Sequence, residues 1–144
     1  MPPPQPDAAG HRILPHTADL VVEAWGPTLA ECLEEAVKAL VGAFTDTSDV
    51  VVTRTVPVSI EPSGPEDLLV TVLEEVIYVL EVLGVVPVDV ALEGTEDGGV
   101  GGCFDVAPVG AVTVTGAIPK AVSLGDLVVE ERDGRWECHA IVDV

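Results

Sequence analysis

Two aspartates far apart in the chain are the residues whose chemistry is most informative. Asp19 stands at the start of an apolar segment, just after His16 and Thr17. Asp143 lies in the apolar last segment and is followed by Val144 with its α-carboxylate. Carboxylate and main-chain oxygens are hard ligands that suit Ca²⁺, Mg²⁺ or Mn²⁺. If the first and last strands are neighbours, Asp19, Asp143 and the α-carboxylate of Val144 would form a divalent-cation site. Composition alone does not show whether these strands are neighbours.

The same residues permit other interpretations. With His16 as a base, Asp19 and Asp143 could serve a metal-dependent hydrolase, although phosphate-loop and nucleophile-elbow motifs are absent from the sequence. A valine-rich sandwich could also bind a small apolar ligand, although a well-packed core is the commoner outcome. His16, Thr17 and Asp19 also fit ordinary turn chemistry, in which polar side chains satisfy backbone amides before a strand.

The charge of the chain narrows the class of partner. There are 25 acidic residues against 6 Lys and Arg, which gives a formal net charge of −19. No Lys or Arg occurs between Arg54 and Lys120. Such a surface repels a phosphate backbone and attracts cations or a basic face of another protein. Direct binding of nucleic acid is therefore not expected.

The cysteines, the hydropathy and the prolines of the sequence indicate its cellular compartment and its domain organisation. The three cysteines form no CxxC pair, so neither a disulfide framework nor a zinc knuckle is expected. The mean hydropathy of +0.45 is high, but carboxylates interrupt the most apolar stretch, Leu68–Val90, and argue against a membrane span. Residues 1–10 are proline-rich and are expected to be a disordered tail, with one domain over residues 11–144. A cytoplasmic protein is expected.

Two helices are predicted by apolar residues at helical spacing. The first runs from Leu29 to Phe44, and Thr28 with Glu31 predicts a capping box at its start. The second covers Leu68–Leu83, with Gly84 as the residue that ends it.

The other segments read as strands because β-branched residues dominate them. In chain order they are His16–Trp25, Val50–Ile60, Val86–Glu93, Gly102–Ala107, Ala111–Ile118, Leu127–Glu131 and Trp136–Asp143. The late strands are joined by hairpin turns, which favours antiparallel pairing. The predicted fold is an α+β two-layer sandwich with two helices packed on a mostly antiparallel sheet.

Four pieces of the sequence together resemble the archease family. They are the His-Thr-Ala-Asp segment His16–Asp19, the helix start Thr28–Ala36, the late segment Lys120–Gly125, and the terminal Asp143-Val144. Their order and spacing agree with the family from Leu14 to Val144. Where archeases carry Tyr-His, this chain has Leu124-Gly125, so a role for that histidine is not carried over; Lys120 is retained.

The resemblance implies a function that the residues alone do not. Archeases are accessory proteins, not enzymes, that activate the GTP-dependent RNA ligase RtcB in tRNA splicing and RNA repair. They promote guanylylation and multiple turnover of that ligase in a chaperone-like way. The family's metal-binding positions, associated with calcium or a similar ion, map onto Asp19, Asp143 and Val144. His16 and Lys120 would contact the partner or support the metal ligands.

Overall fold

A computed structural model describes residues 8–14 and 19–144, and within them two helices and nine strands. Helix α1 spans Leu29–Phe44, and α2 spans Pro65–Tyr78. The strands are β1 Gly10–Leu14, β2 Asp19–Gly26, β3 Thr45–Asp46, β4 Arg54–Ile60, β5 Val85–Gly94, β6 Val100–Pro108, β7 Thr113–Val114, β8 Ala121–Arg132 and β9 Arg135–Asp143.

Every pair of strands within this described part is antiparallel, and the strands form three sheets instead of one. The largest has the order β1-β2-β9-β8, a second has the order β4-β6-β5, and β3 pairs with β7. Helix α1 packs on β1, β2 and β9 and also on β5, while α2 packs on β8 and β4. The α+β class and the two helices packed on antiparallel sheet are confirmed.

Helix α1 forms where its sequence predicts it. Thr28 is the N-cap, and its hydroxyl accepts a hydrogen bond of 3.1 Å from the Glu31 amide. Its apolar stripe is completely buried at Leu33, Ala36 and Leu40. Because α1 contacts both larger sheets, it forms the centre of the core.

Helix α2 starts three residues earlier than predicted, at Pro65. Proline is favourable in the first turn of a helix, because the amide hydrogen that it lacks would have no acceptor within the helix there. A π-helical turn, Val79–Leu83, follows α2 directly. Gly84 then ends the helix in the left-handed conformation, with φ +67°, which confirms its predicted role.

Three expectations for the strands were wrong. Gly10 belongs to β1, so the N-terminal tail ends before it, and β1 itself was not predicted because His11 and Arg12 interrupt its apolar pattern. The strand predicted over Ala111–Ile118 is a short 3-10 turn at Val109–Ala111 followed by the two-residue β7. The strand predicted from Val50 begins at Arg54.

Strand β8 and strand β4 show two further comparisons with the predicted pattern. Strand β8 starts at Ala121, well before the predicted Leu127, and the pairing register with β9 shifts between Ser123 and Val128. That irregularity conceals the strand's alternation and explains the late predicted start. Pro57 lies on β4, an edge strand, where a missing amide donor is tolerated. Of the rest of the predicted tail, residues 8–9 have no regular secondary structure and residues 1–7 lie outside the described residues.

Candidate functional site

The pairing of β2 with β9 brings the two predicted aspartates together. In this antiparallel ladder Asp19 is the direct partner of Asp143. Directly opposed residues have Cβ atoms about 4.5–5.5 Å apart and project to the same side of the sheet. The adjacency that the composition left open is therefore present.

Strand β8 adds a third element at this position. Ala121 is the partner of Asp143 on its other side, and the Lys120 amide donates a 2.8 Å hydrogen bond to the Asp143 carbonyl. Asp143 and Lys120 are exposed, whereas Asp19 and Val144 are half-buried. The predicted site residues Asp19, Asp143, Val144 and Lys120 therefore lie at one end of the β2–β9–β8 ladder.

His16 lies outside the described residues, as does most of the His16–Asp19 motif. Its predicted contact with a partner or a metal ligand, and its alternative role as a hydrolase base, therefore stay predictions. Leu124 and Gly125, which stand where the family carries Tyr-His, lie in the irregular part of β8, with Leu124 73% exposed.

The aspartate pair offers oxygen ligands for a hard cation. Within the described part of the chain, no group of three or more His, Cys, Asp or Glu side chains is placed to hold a metal ion. A cation at the pair would therefore take two carboxylates, with further oxygens from the main chain at Val144 or from solvent. This donor set suits Ca²⁺, Mg²⁺ or Mn²⁺ better than zinc, which favours nitrogen and sulfur.

The cysteines of this region belong to the packing. Cys32 and Cys138 are buried, and the Cys32 thiol donates to the Ala24 carbonyl at 3.6 Å. A hydrogen bond with Cys138, together with burial, raises the pKa of the Cys32 thiol far above its usual value. The Cys32 thiol is consequently held protonated, and both buried cysteines serve as small core groups.

The same register places a row of side chains on the side of the sheet away from the core. Alternate residues of β9, such as Cys138 and Ala140, are buried against the helices, and the residues between them face outward. We call the outward side of β1, β2, β9 and β8 the outer face. Its β2–β9 pairs are Asp19–Asp143, Val21–Ile141, Glu23–His139 and Trp25–Glu137.

Ion pairs connect the strands across the outer face. Glu23 of β2 forms an ion pair with Arg12 of β1 at 3.4 Å, and the His139 imidazole of β9 contacts the same carboxylate at 3.3 Å. Within β9, Arg135 forms an ion pair with Glu137 at 2.7 Å. Sequence reasoning missed this cluster. The period-two spacing of Arg135, Glu137 and His139 along the last strand was the available signal.

The chain matches the model of the archease protein family (MTH1598/TM1083) over residues 11–144. It is 41% identical over 137 residues to a probable protein archease of Mycobacterium tuberculosis strain H37Rv, covering 95% of this chain and 76% of that protein. It is 32% identical to the protein archease of Archaeoglobus fulgidus, covering 93% and 98% of the two chains.

Solved structures show the same fold. The solution structure of Methanobacterium thermoautotrophicum protein 1598 superposes with a TM-score of 0.70 at 25% identity, covering 94% of this chain and 99% of that one. The Thermotoga maritima archease, described as a possible chaperone, gives a TM-score of 0.65 at 20% identity, covering 91% and 94%.

Proposed function

The chain belongs to the archease protein family, and on that premise we propose that it is a cytoplasmic accessory protein that activates an RtcB-type RNA ligase. In this role it promotes guanylylation and multiple turnover of the ligase in tRNA splicing and RNA repair, without catalysing a reaction itself. The observation that carries the proposal is the cross-strand pair Asp19–Asp143 at an accessible end of the sheet.

The acidic pair would act through a divalent cation. Two carboxylates this close repel each other, and a cation between them offsets that repulsion. Asp19 and Asp143 would hold the ion, with a main-chain oxygen of Val144, and the bound ion would supply positive charge at the tip that meets the ligase. Asp143 is fixed in turn by the main-chain bond from Lys120, which positions the exposed Lys120 beside the tip.

Activation also requires a difference in affinity between ligase states. An accessory protein shifts a conformational equilibrium only if it binds the activation-competent state more tightly than the resting state. The net charge of −19 favours a partner with a basic surface and disfavours direct contact with RNA. The connection to RNA is then made through the ligase.

No helix in residues 8–14 and 19–144 combines the length and the apolar character needed to cross a bilayer.

The proposal is tested by guanylylation and multiple-turnover ligation with the cognate ligase, with and without the full chain. Asp19→Asn and Asp143→Asn should each reduce stimulation by at least about tenfold, the effect of losing an interaction worth about 1.4 kcal/mol. Asp133→Asn is the matched control, because Asp133 lies in the hairpin at the other end of β9 and its φ of 54° suits Asn equally well.

Titration calorimetry with Mg²⁺, Mn²⁺ and Ca²⁺ provides a readout that does not depend on the ligase. Asp143→Asn should weaken cation binding, and Asp133→Asn should leave it unchanged. Full stimulation by the Asp19 and Asp143 variants would overturn the mechanism. Absence of stimulation by the wild-type chain would overturn the proposed function, and turnover of a phosphoester by the pure protein would favour the hydrolase.

A further inference from the structure

The outer face carries a second feature beyond the aspartate pair, a cleft over its middle. The cleft has a volume of about 440 Å³ and is lined by side chains of all four strands of the sheet. Trp25 is one of the lining residues, two residues along β2 from Glu23. A volume of this size holds several side chains of a partner.

The lining is predominantly acidic. Four carboxylates line the cleft, against one guanidinium, that of Arg12, and the imidazole of His139. The carboxylates are Glu23, Asp126, Glu130 and Glu137. Arg132 and Arg135 each lie 2.7 Å from one of these carboxylates, so four carboxylates face three guanidinium groups in and around the cleft. The remaining excess of negative charge favours a basic occupant over an acidic one.

The indole ring of Trp25 in the cleft contacts two cationic side chains of this chain. The guanidinium carbon of Arg12 lies 4.6 Å from the Trp25 ring centroid, and that of Arg135 lies 5.5 Å away. Cations are attracted to an indole face by its quadrupole. The Arg12 side chain is 48% exposed, so an incoming guanidinium or ammonium group can reach this position by displacing it.

Two buried N–H donors in the described part of the outer face have no hydrogen-bond acceptor. Among the described residues, the buried side-chain nitrogens without a hydrogen-bond partner are Trp25 Nε1 and Arg135 Nη1, both on the outer face. Buried donors of this kind ordinarily have a partner. An extended peptide supplies carbonyl oxygens at regular intervals along its length and could satisfy donors that become accessible when Arg12 moves.

We propose that this cleft is the docking site for a basic, extended segment of a protein partner. Along β2 the register places Trp25, Glu23, Val21 and Asp19 in one row, so the cleft and the aspartate pair lie on the same side of the sheet, with the buried Val21 between them. The inference rests on the proposed function in one respect only, since it takes the ligase to be the protein that supplies the segment.

The test uses the full chain carrying Trp136→Phe, which leaves Trp25 as the remaining tryptophan. The probe is a short capped peptide of alternating arginine and alanine, followed by Trp25 emission. The cleft variant is Asp126→Asn with Glu130→Gln, both exposed; Asn suits the φ of 56° at Asp126. The matched control is Asp49→Asn with Glu74→Gln, also exposed, with φ 62° at Asp49 and the same change in charge.

The cleft variant should weaken peptide binding about fivefold, because two exposed charge contacts contribute about 1 kcal/mol together. The control variant should bind within about 1.5-fold of the parent, since its charges lie away from the cleft. Equal losses in both variants would show general attraction to an acidic protein and would overturn the proposal. Preference for a glutamate–alanine peptide or a short single-stranded RNA would also overturn it.

A ligase titration separates this inference from the proposed function. With the cleft variant, half-maximal stimulation of guanylylation should need about fivefold more protein, whereas the plateau should be unchanged. If the parent chain stimulates no ligase and the peptide results hold, the docking site stands and the proposed function fails. If Asp143→Asn abolishes stimulation but the cleft variant behaves like the parent in both assays, the docking site fails alone.

Discussion

The two faces of the β2–β9 strand pair differ in burial and in polarity, although they share one backbone. On the inner face Val22, Ala140 and Val142 are completely buried in the core. On the outer face, one residue away along each strand, stand Glu23, His139 and Asp143. Because successive side chains point to opposite sides of a strand, stability and binding are separated by a single position. Substitutions at adjacent residues should therefore have very different consequences.

The sharpest contrast is between Val142 and Asp143. Val142→Asp places an unpaired carboxylate in the core and should lower the free energy of unfolding by at least about 4 kcal/mol, or prevent folding. Asp143→Asn, at an exposed position, should change it by less than about 0.5 kcal/mol. Urea denaturation followed by circular dichroism measures both, and similar losses would contradict the separation of the two faces.

A second substitution tests whether the outer face contains any packing of its own. At Gly10 the indole of Trp25 lies so close to the backbone that a Cβ would approach ring atoms at 2.5 and 2.6 Å. Gly10→Ala should therefore displace the indole or β1 and reduce stability by about 1–2 kcal/mol, with a shift in Trp25 emission. Gly42→Ala is the control, since its Cβ meets no atom within 4 Å, and it should stabilise α1 by up to about 1 kcal/mol. An unchanged emission spectrum for Gly10→Ala would argue against the close approach.

The smallest predicted effect is on the pH dependence of stability, through the contact between His11 of β1 and Glu35 of α1. Burial acts to raise the pKa of Glu35, but hydrogen bonds from His11 at 2.6 Å and Lys38 at 3.1 Å outweigh it and hold that pKa below its usual 4.5. A carboxyl whose folded pKa is depressed contributes stability above its unfolded pKa, and that contribution is lost as pH falls through the folded value.

Stability should therefore fall as pH is lowered below about 4.5, and Glu35→Gln should reduce that dependence by about 0.5 kcal/mol. Thermal unfolding between pH 3 and 6 is the measurement. Glu31→Gln, one turn earlier in α1, is the comparison. An identical pH profile for Glu35→Gln and the wild type would show that this contact contributes nothing to stability.

The predictable parts of the fold are those that local sequence determines. Helix α1 was predicted from Leu29 to Phe44 because a cap and an apolar stripe occur within sixteen residues. The segment Ala111–Ile118 alternates like a strand, yet only Thr113 and Val114 find a partner strand. Alternation predicts the capacity to pair, whereas pairing depends on which backbone is adjacent.

The site shows the same limit. Asp19 and Asp143 could be selected individually from residue type and from the resemblance to archeases, but their direct opposition depends on a register between strands far apart in the chain. The cleft could not be predicted at all. It combines Arg12 from an unpredicted strand with Asp126 from the irregular part of β8, and neither has a local pattern.

The pairing of β2 with β9 also has a consequence for the order of events during synthesis. Asp19 leaves the ribosome early, but its partner strand is made only after both helices and the six strands between them. A contact of such long sequence separation closes late, because its loop entropy is recovered only when the intervening structure has formed. The acidic pair is therefore a sign of completed folding, and an incompletely made chain would not present it to a partner.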